Sequence, residues 1–219
     1  MLPLEGIPWD GNESPKREQP YLDIIFPSDN EWGVPTLDIN RQPEGVDLRI
    51  HSWGARARSH EKTGLCLFYV DDYRFGSLWS RPYLVSNCGY SSAVEPNVTT
   101  SLDSPIAWVL WATYQKRWIA RYWQTQGINI FVDLNCPVEH KQISTLGIPR
   151  GWRSFMTRGY ADRLPALLLE FDLAQFLSES DSPLFVVYGG GSAVRSLCQG
   201  KGWIYLAEHQ ERQKGKLHG

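Results

Sequence analysis

Leu65-Cys66-Leu67-Phe68-Tyr69-Val70 is an unbroken apolar run of strand length, and it ends abruptly in Asp71-Asp72-Tyr73-Arg74. A strand that is apolar at every position is buried on both faces, which favours a parallel sheet covered by helices. Downstream the theme repeats. Residues 93–98 form a weaker strand, Ala93-Val94-Glu95-Pro96-Asn97-Val98, and Thr99 follows it. A helix is expected over residues 104–126, with Ser104 as N-cap, Pro105 at its first position and Gly127 as its stop. Strand 128–132 ends in Asp133-Leu134-Asn135, and strand 154–156 ends in Thr157-Arg158-Gly159. After a helix over 161–178, strand 184–188 ends at Tyr188 and runs into Gly189-Gly190-Gly191-Ser192. A short helix through Leu197 leads to strand 203–206, then Glu208-His209.

Upstream the pattern fades. Residues 41–62 read as a polar loop, Val34-Pro35-Thr36-Leu37 as a short strand, and residues 1–31 as an extended arm that packs through the island Tyr21-Leu22-Asp23-Ile24-Ile25-Phe26. Residues 32–209 make one α/β domain, and 210–219 a frayed basic tail. Strands alternating with helices give parallel β/α units. Six or seven strands suit a TIM-barrel-like fold, an incomplete barrel included, or an open doubly wound sheet. No GxGxxG follows the first strand, so the dinucleotide-binding version loses ground.

Composition narrows the classes. The chain has 219 residues, 42 % hydrophobic and 21 % charged, with ten Trp, ten Tyr and a net charge of −2. That balance is globular, and it lacks the basic excess of a nonspecific nucleic-acid binder. Met1-Leu2-Pro3-Leu4-Glu5 does not read as a signal peptide, and no run of about twenty apolar residues spans a membrane. Cys66, Cys88, Cys136 and Cys198 are scattered without CxxC spacing, as reduced thiols of a cytoplasmic protein would be. There is no HExxH, no P-loop and no GxSxG.

In parallel α/β folds ligands bind at the carboxyl ends of the strands. Those ends supply Asp71, Asp72 and Arg74; Glu95, Asn97 and Thr99; Asp133 and Asn135; Arg158; Tyr188, Gly189 and Gly190; Glu208 and His209. Asp71, Asp72 and Asp133 are the candidate catalytic acids, able to act as base or to hold a divalent cation. Arg74 and Arg158 would neutralise phosphate, and the glycine run before a helix would let backbone N–H groups approach an anion. On the aromatic helix, Lys116, Arg117 and Arg121 lie between Trp and Tyr residues. The stripe is read as core and the charges as a solvated face.

At Asp71-Asp72-Tyr73-Arg74-Phe75 the chain resembles the domain-of-unknown-function family four-four-one-seven, found in bacteria, phages and plasmids. Further matching residues are Pro96-Asn97-Val98-Thr99, Tyr114-Gln115-Lys116-Arg117-Trp118 with Tyr122-Trp123, Gln126-Gly127-Ile128 and Tyr188-Gly189. The resemblance covers roughly residues 32–206 and implies a mobile-element setting. Two departures stand out. Asn97 occupies a position where members carry Asp, and Val132-Asp133-Leu134-Asn135-Cys136 replaces a P-T-V-S-W pattern. The expectation is a strand-end cleft for a phosphate-bearing ligand, a nucleotide or nucleic acid. The alternatives are a non-catalytic DNA-associated replication or maintenance protein with Arg56, Arg58, Lys116, Arg117 and Arg121 on one basic face, or a protein that meets a host partner through its aromatic surface.

Overall fold

The computed structural model describes residues 24–54 and 63–208. Most of the expected N-terminal arm, Arg56, Arg58, His209 and the basic tail lie outside them. Among the described residues seven strands form one all-parallel sheet in strictly sequential order: β1 (Ile50–Ser52), β2 (Leu65–Leu67), β3 (Ser92–Val94), β4 (Asn129–Asp133), β5 (Ser154–Arg158), β6 (Leu184–Tyr188) and β7 (Ile204–Leu206). Helices α1 (Tyr83–Ser86), α2 (Ile106–Thr125), α3 (Lys141–Ser144), α4 (Leu164–Ser178) and α5 (Gly191–Lys201) fill the crossovers from β2 onward. A doubly wound sheet reverses its order at a switch point, whereas barrel winding does not. The sheet is therefore part of a barrel, curled and open between β1 and β7.

Period-two alternation along each strand builds two cores. Leu65, Leu67, Val94, Phe131, Met156 and Val186 pack together inside the curl. Cys66, Phe68, Ile130, Val132, Phe155 and Phe185 pack on the other side, with Trp118, Trp123 and Leu167 from the helices. Residues 41–43 cross the amino ends of the strands. Ile130 N–H donates to the Arg41 carbonyl at 3.0 Å, Arg153 N–H to Gln42 Oε1 at 2.6 Å, and the Ser154 hydroxyl to the Pro43 carbonyl. This segment thus lies across the amino ends of β4 and β5.

The aromatic stripe of α2 is core over its second half, where Trp118 and Trp123 are buried, while Trp108 and Trp111 remain 44 % and 42 % exposed. Trp118 Nε1 donates to the Ile24 carbonyl at 3.0 Å, and the Phe26 ring lies 5.7 Å from the Trp118 ring. These two residues of the apolar island therefore pack on α2.

Several boundaries differ from the sequence reading. The stretch 34–37 is no strand: Pro35 lacks a donor, Thr36 N–H bonds the Pro27 carbonyl at 2.8 Å, and Leu37 N–H the Gly147 carbonyl at 2.9 Å. Conversely β1 lies inside the stretch read as polar loop, because an edge strand needs no continuous apolar run. The ladder of β2 stops at Leu67, where the chain turns through Val70 N–H to the Phe68 carbonyl. Helix α2 begins at Ile106, with Pro105 rather than Ser104 as its cap. No helix of the described residues is long and apolar enough to cross a membrane, and none of the four cysteines is in a disulfide.

A polar mouth at the carboxyl end of the sheet

The turn after β2 carries Asp71 and Asp72 away from the sheet. Residues Asp72–Arg74 form a 3-10 turn, with Asp71 exposed and 3.6 Å from Arg74 Nε. The Asp72 carboxylate accepts from Thr99 N–H at 3.0 Å and from the Thr99 hydroxyl at 2.9 Å, tying this turn to the segment after β3. Arg74 is exposed over the Tyr73 ring. Asp133 is instead buried at the end of β4. The expected trio of Asp71, Asp72 and Asp133 is therefore not brought together as a cation site. Among the described residues no three His, Cys, Asp or Glu side chains are grouped so as to hold a metal ion. Asp71 lies beside Arg74 of its own turn, and Asp72 is held by Thr99 of the segment after β3.

Other strand-end residues do converge. The Tyr69 hydroxyl donates to Asp133 Oδ1 at 3.0 Å, and the Tyr69 and Tyr188 rings stack at 5.7 Å. Arg158 donates through Nη1 to the Tyr69 carbonyl at 3.2 Å and through Nη2 to Glu208 Oε1 at 2.8 Å. Its guanidinium lies 5.7 Å and 5.8 Å from the Tyr160 and Tyr188 ring centres. Asn135 N–H bonds Asp133 Oδ1 at 3.3 Å, and Asn135 Nδ2 bonds Asn97 Oδ1 at 3.3 Å. Asn97, Asp133, Asn135, Arg158, Tyr188 and Glu208 thus share one connected mouth, to which Tyr69 is the addition. Tyr69 was legible as the third inward residue after Leu65 and Leu67.

Electrostatics single out Asp133. Burial pushes its carboxyl up to about 6, against the pull of Lys116 and with the repulsion of Glu95. Burial, reinforced by Asp133, also raises the Tyr69 hydroxyl well above its ordinary range. A carboxyl hydrogen-bonded to a phenol and poised near neutrality can exchange a proton there.

The glycines serve packing. A Cβ on Gly189 would stand 2.3 Å from Glu208 Oε1, and one on Gly159 would stand 2.4 Å from the Gly189 carbonyl. The Glu208 carboxylate therefore lies against the loop expected to cradle an anion. Gly159→Ala is expected to destabilise by about 1–3 kcal/mol, because the added methyl meets fixed backbone. A denaturant titration with an unchanged slope reads that loss.

Behind the mouth, Lys116 and Arg117 are buried, so they do not belong to an exposed basic face. Arg121 places its guanidinium 5.6 Å from the Phe26 ring. Arg117 pairs with the buried carboxylate of Glu95 and donates to the carbonyls of Leu146 and Ser144 at 2.9 and 2.7 Å. The other Glu95 oxygen accepts from Asp133 N–H at 3.1 Å, fixing the backbone of the site residue itself.

An incomplete parallel β/α barrel with a hydrogen-bonded polar mouth at its carboxyl end is the class that the fold and this site define. The chain belongs to the family described as "Domain of unknown function (DUF4417)", whose model matches residues 26–190. It is 32 % identical to the "Gene 1 protein" of Mycobacterium phage D29 over 114 residues, which are 50 % of this chain and 41 % of that protein. It is 30 % identical to the "Gene 1 protein" of Mycobacterium phage L5 over 116 residues, covering 50 % of this chain and 48 % of that protein. The matched stretch is thus less than half the length of these curated relatives. These two relatives are phage-encoded, and no solved structure matches.

Proposed function

We propose that this is a phage-associated protein whose strand-end mouth binds a phosphate-bearing ligand, a nucleotide or the phosphorylated end of a nucleic acid, with Arg158 as the phosphate-contacting group. The observation that carries the reading is the position of Arg158. It is a planar guanidinium, 26 % exposed and near two tyrosine rings, and a ligand phosphate would share or displace its ion pair with Glu208. A forked donor beside aromatic faces suits a phosphate attached to a base or sugar. Asp133, within the same network, supplies a group that changes charge near neutral pH. The burial of Lys116 and Arg117 counts against the reading as a DNA-coating basic surface.

The test is calorimetric titration at low salt with AMP, dTMP and a short 5′-phosphorylated DNA. Arg158→Ala is expected to weaken binding roughly 10- to 100-fold, the range of a charged hydrogen bond. Arg158→Lys should recover only part of that loss, because an ammonium lacks the fork. Failure of the native protein to bind any of these below about 1 mM would overturn the reading.

A further inference from the structure

The turn that leaves β5 carries a second guanidinium to the rim of the mouth. Gly159 N–H donates to the Tyr188 carbonyl at 2.9 Å, and Arg163 N–H to the Tyr160 carbonyl at 3.1 Å, so this turn is pinned to the end of β6. Arg163, just ahead of α4, is exposed, and its guanidinium lies 4.7 Å from the centre of the Tyr160 ring. The Arg158 guanidinium lies 5.7 Å from the centre of the same ring. The half-buried Tyr160 thus holds both cations against one side chain. Stacking on a ring leaves the N–H edge of a guanidinium free to donate in its own plane.

The two arginines differ in what opposes them. Arg158 is paired with Glu208 at 2.8 Å and gives a further N–H to the Tyr69 carbonyl. Among the described residues no carboxylate comes within 4.0 Å of the Arg163 guanidinium, that of its exposed neighbour Asp162 included. A monophosphate on Arg158 therefore competes with a carboxylate, whereas the fork of Arg163 is unopposed. Two like charges gathered at one ring also repel, and an anion that spans both relieves that repulsion.

We infer that the ligand of the mouth is a nucleotide bearing a diphosphate, with one phosphoryl group on Arg158 and the other on Arg163. This rests on the reading of Arg158 as the phosphate contact. Because both guanidiniums stand against one ring, their separation cannot exceed the two ring distances laid end to end. Two phosphoryl groups joined through a single oxygen, each gripped by its own fork, bridge such a span. A nucleic-acid strand instead spaces its phosphates by a whole sugar.

The experiment is calorimetric titration of the full chain at low salt, with EDTA present so that no divalent cation bridges the phosphates. The probes are AMP, ADP, inorganic phosphate, pyrophosphate and a 5′-phosphorylated thymidine dinucleotide. ADP is expected to bind roughly 10-fold or more tightly than AMP, the gain of one charged hydrogen-bonding partner, and pyrophosphate should exceed phosphate in the same way. Arg163→Gln should bring ADP down to the affinity of AMP and leave AMP itself unchanged. Its thermal unfolding should match that of the native protein, because the side chain is exposed. Arg163→Lys should keep part of the preference, since an ammonium retains the charge without the fork. Equal binding of ADP and AMP, an ADP preference that survives Arg163→Gln, or a dinucleotide that loses as much as ADP in that variant would each overturn the assignment. Equal binding together with loss of AMP in Arg158→Ala would leave the reading of Arg158 standing, whereas a native protein that binds none of the probes would remove both.

Discussion

Arg117→Met is expected to lower the stability of the fold by about 3–5 kcal/mol, the cost of leaving a buried charge without its partner. Arg117 and Glu95 both have fully buried side chains, and they are in direct contact. Arg117 also serves the carbonyls of Ser144 and Leu146, and Glu95 serves Asp133 N–H, so one ion pair joins α2, the end of β3, β4 and the turn after α3. The substitution strands the Glu95 carboxylate and two carbonyls at once. Thermal unfolding should show a drop of roughly 10 °C or more at this chain length. The double variant Arg117→Met with Glu95→Gln should recover much of the loss, because no uncompensated charge remains. A single variant that unfolds within a degree or two of the native protein would show that Glu95 finds another partner.

The most legible strands were those that are apolar runs. Residues 65–67, 129–133 and 184–188 could have been placed from hydrophobicity alone, and their strand-end polar residues with them. What hydrophobicity could not show is which polar residue turns inward. Asp71 and Asp72 make the most conspicuous motif, yet they lie beyond the point where the chain leaves the sheet. Asp133 is quieter in the sequence but is the last residue of its strand, and it is the buried one.

Helix α2 misled for a related reason. Its large aromatics draw the eye, while Val109, Ala112, Thr113 and Ala120 between them are buried as well. Lys116 and Arg117 fall among these small residues at three- and four-residue spacing, which is the signal that they point inward. Small residues let a helix approach a sheet closely, and the long side chains between them then reach to the strand ends. The exposed Trp108 and Trp111 show the converse, aromatics on the less covered side of the same helix.

Glu170 gives the second large effect, and it is one of pH. This α4 residue is 5 % exposed, and neither its Oε2 nor the buried Thr157 hydroxyl has a hydrogen-bond partner among the described residues. Burial pushes its carboxyl up to about 8. Asp133 adds to the rise, while the nearby Thr157 hydroxyl and Lys141 oppose it. In the unfolded chain a glutamate releases its proton near pH 4.3. Between that value and 8 the folded state therefore holds a proton that the unfolded state has lost. Stability is greatest below this window, falls as pH rises through it, and levels above it. With each pKa unit worth about 1.4 kcal/mol, the full swing is on the order of 5 kcal/mol. Asp133 contributes the same sign at lower pH, up to about 6, so the interval from 6 to 8 isolates Glu170. Urea midpoints measured across that interval should fall steadily for the native protein and stay nearly flat for Glu170→Gln, which keeps the shape without the charge. At pH 8 the variant should be the more stable protein, and at pH 5 the gap should shrink to about 1 kcal/mol. Parallel slopes for the two proteins between pH 6 and 8 would mean that Glu170 already carries its charge when folded.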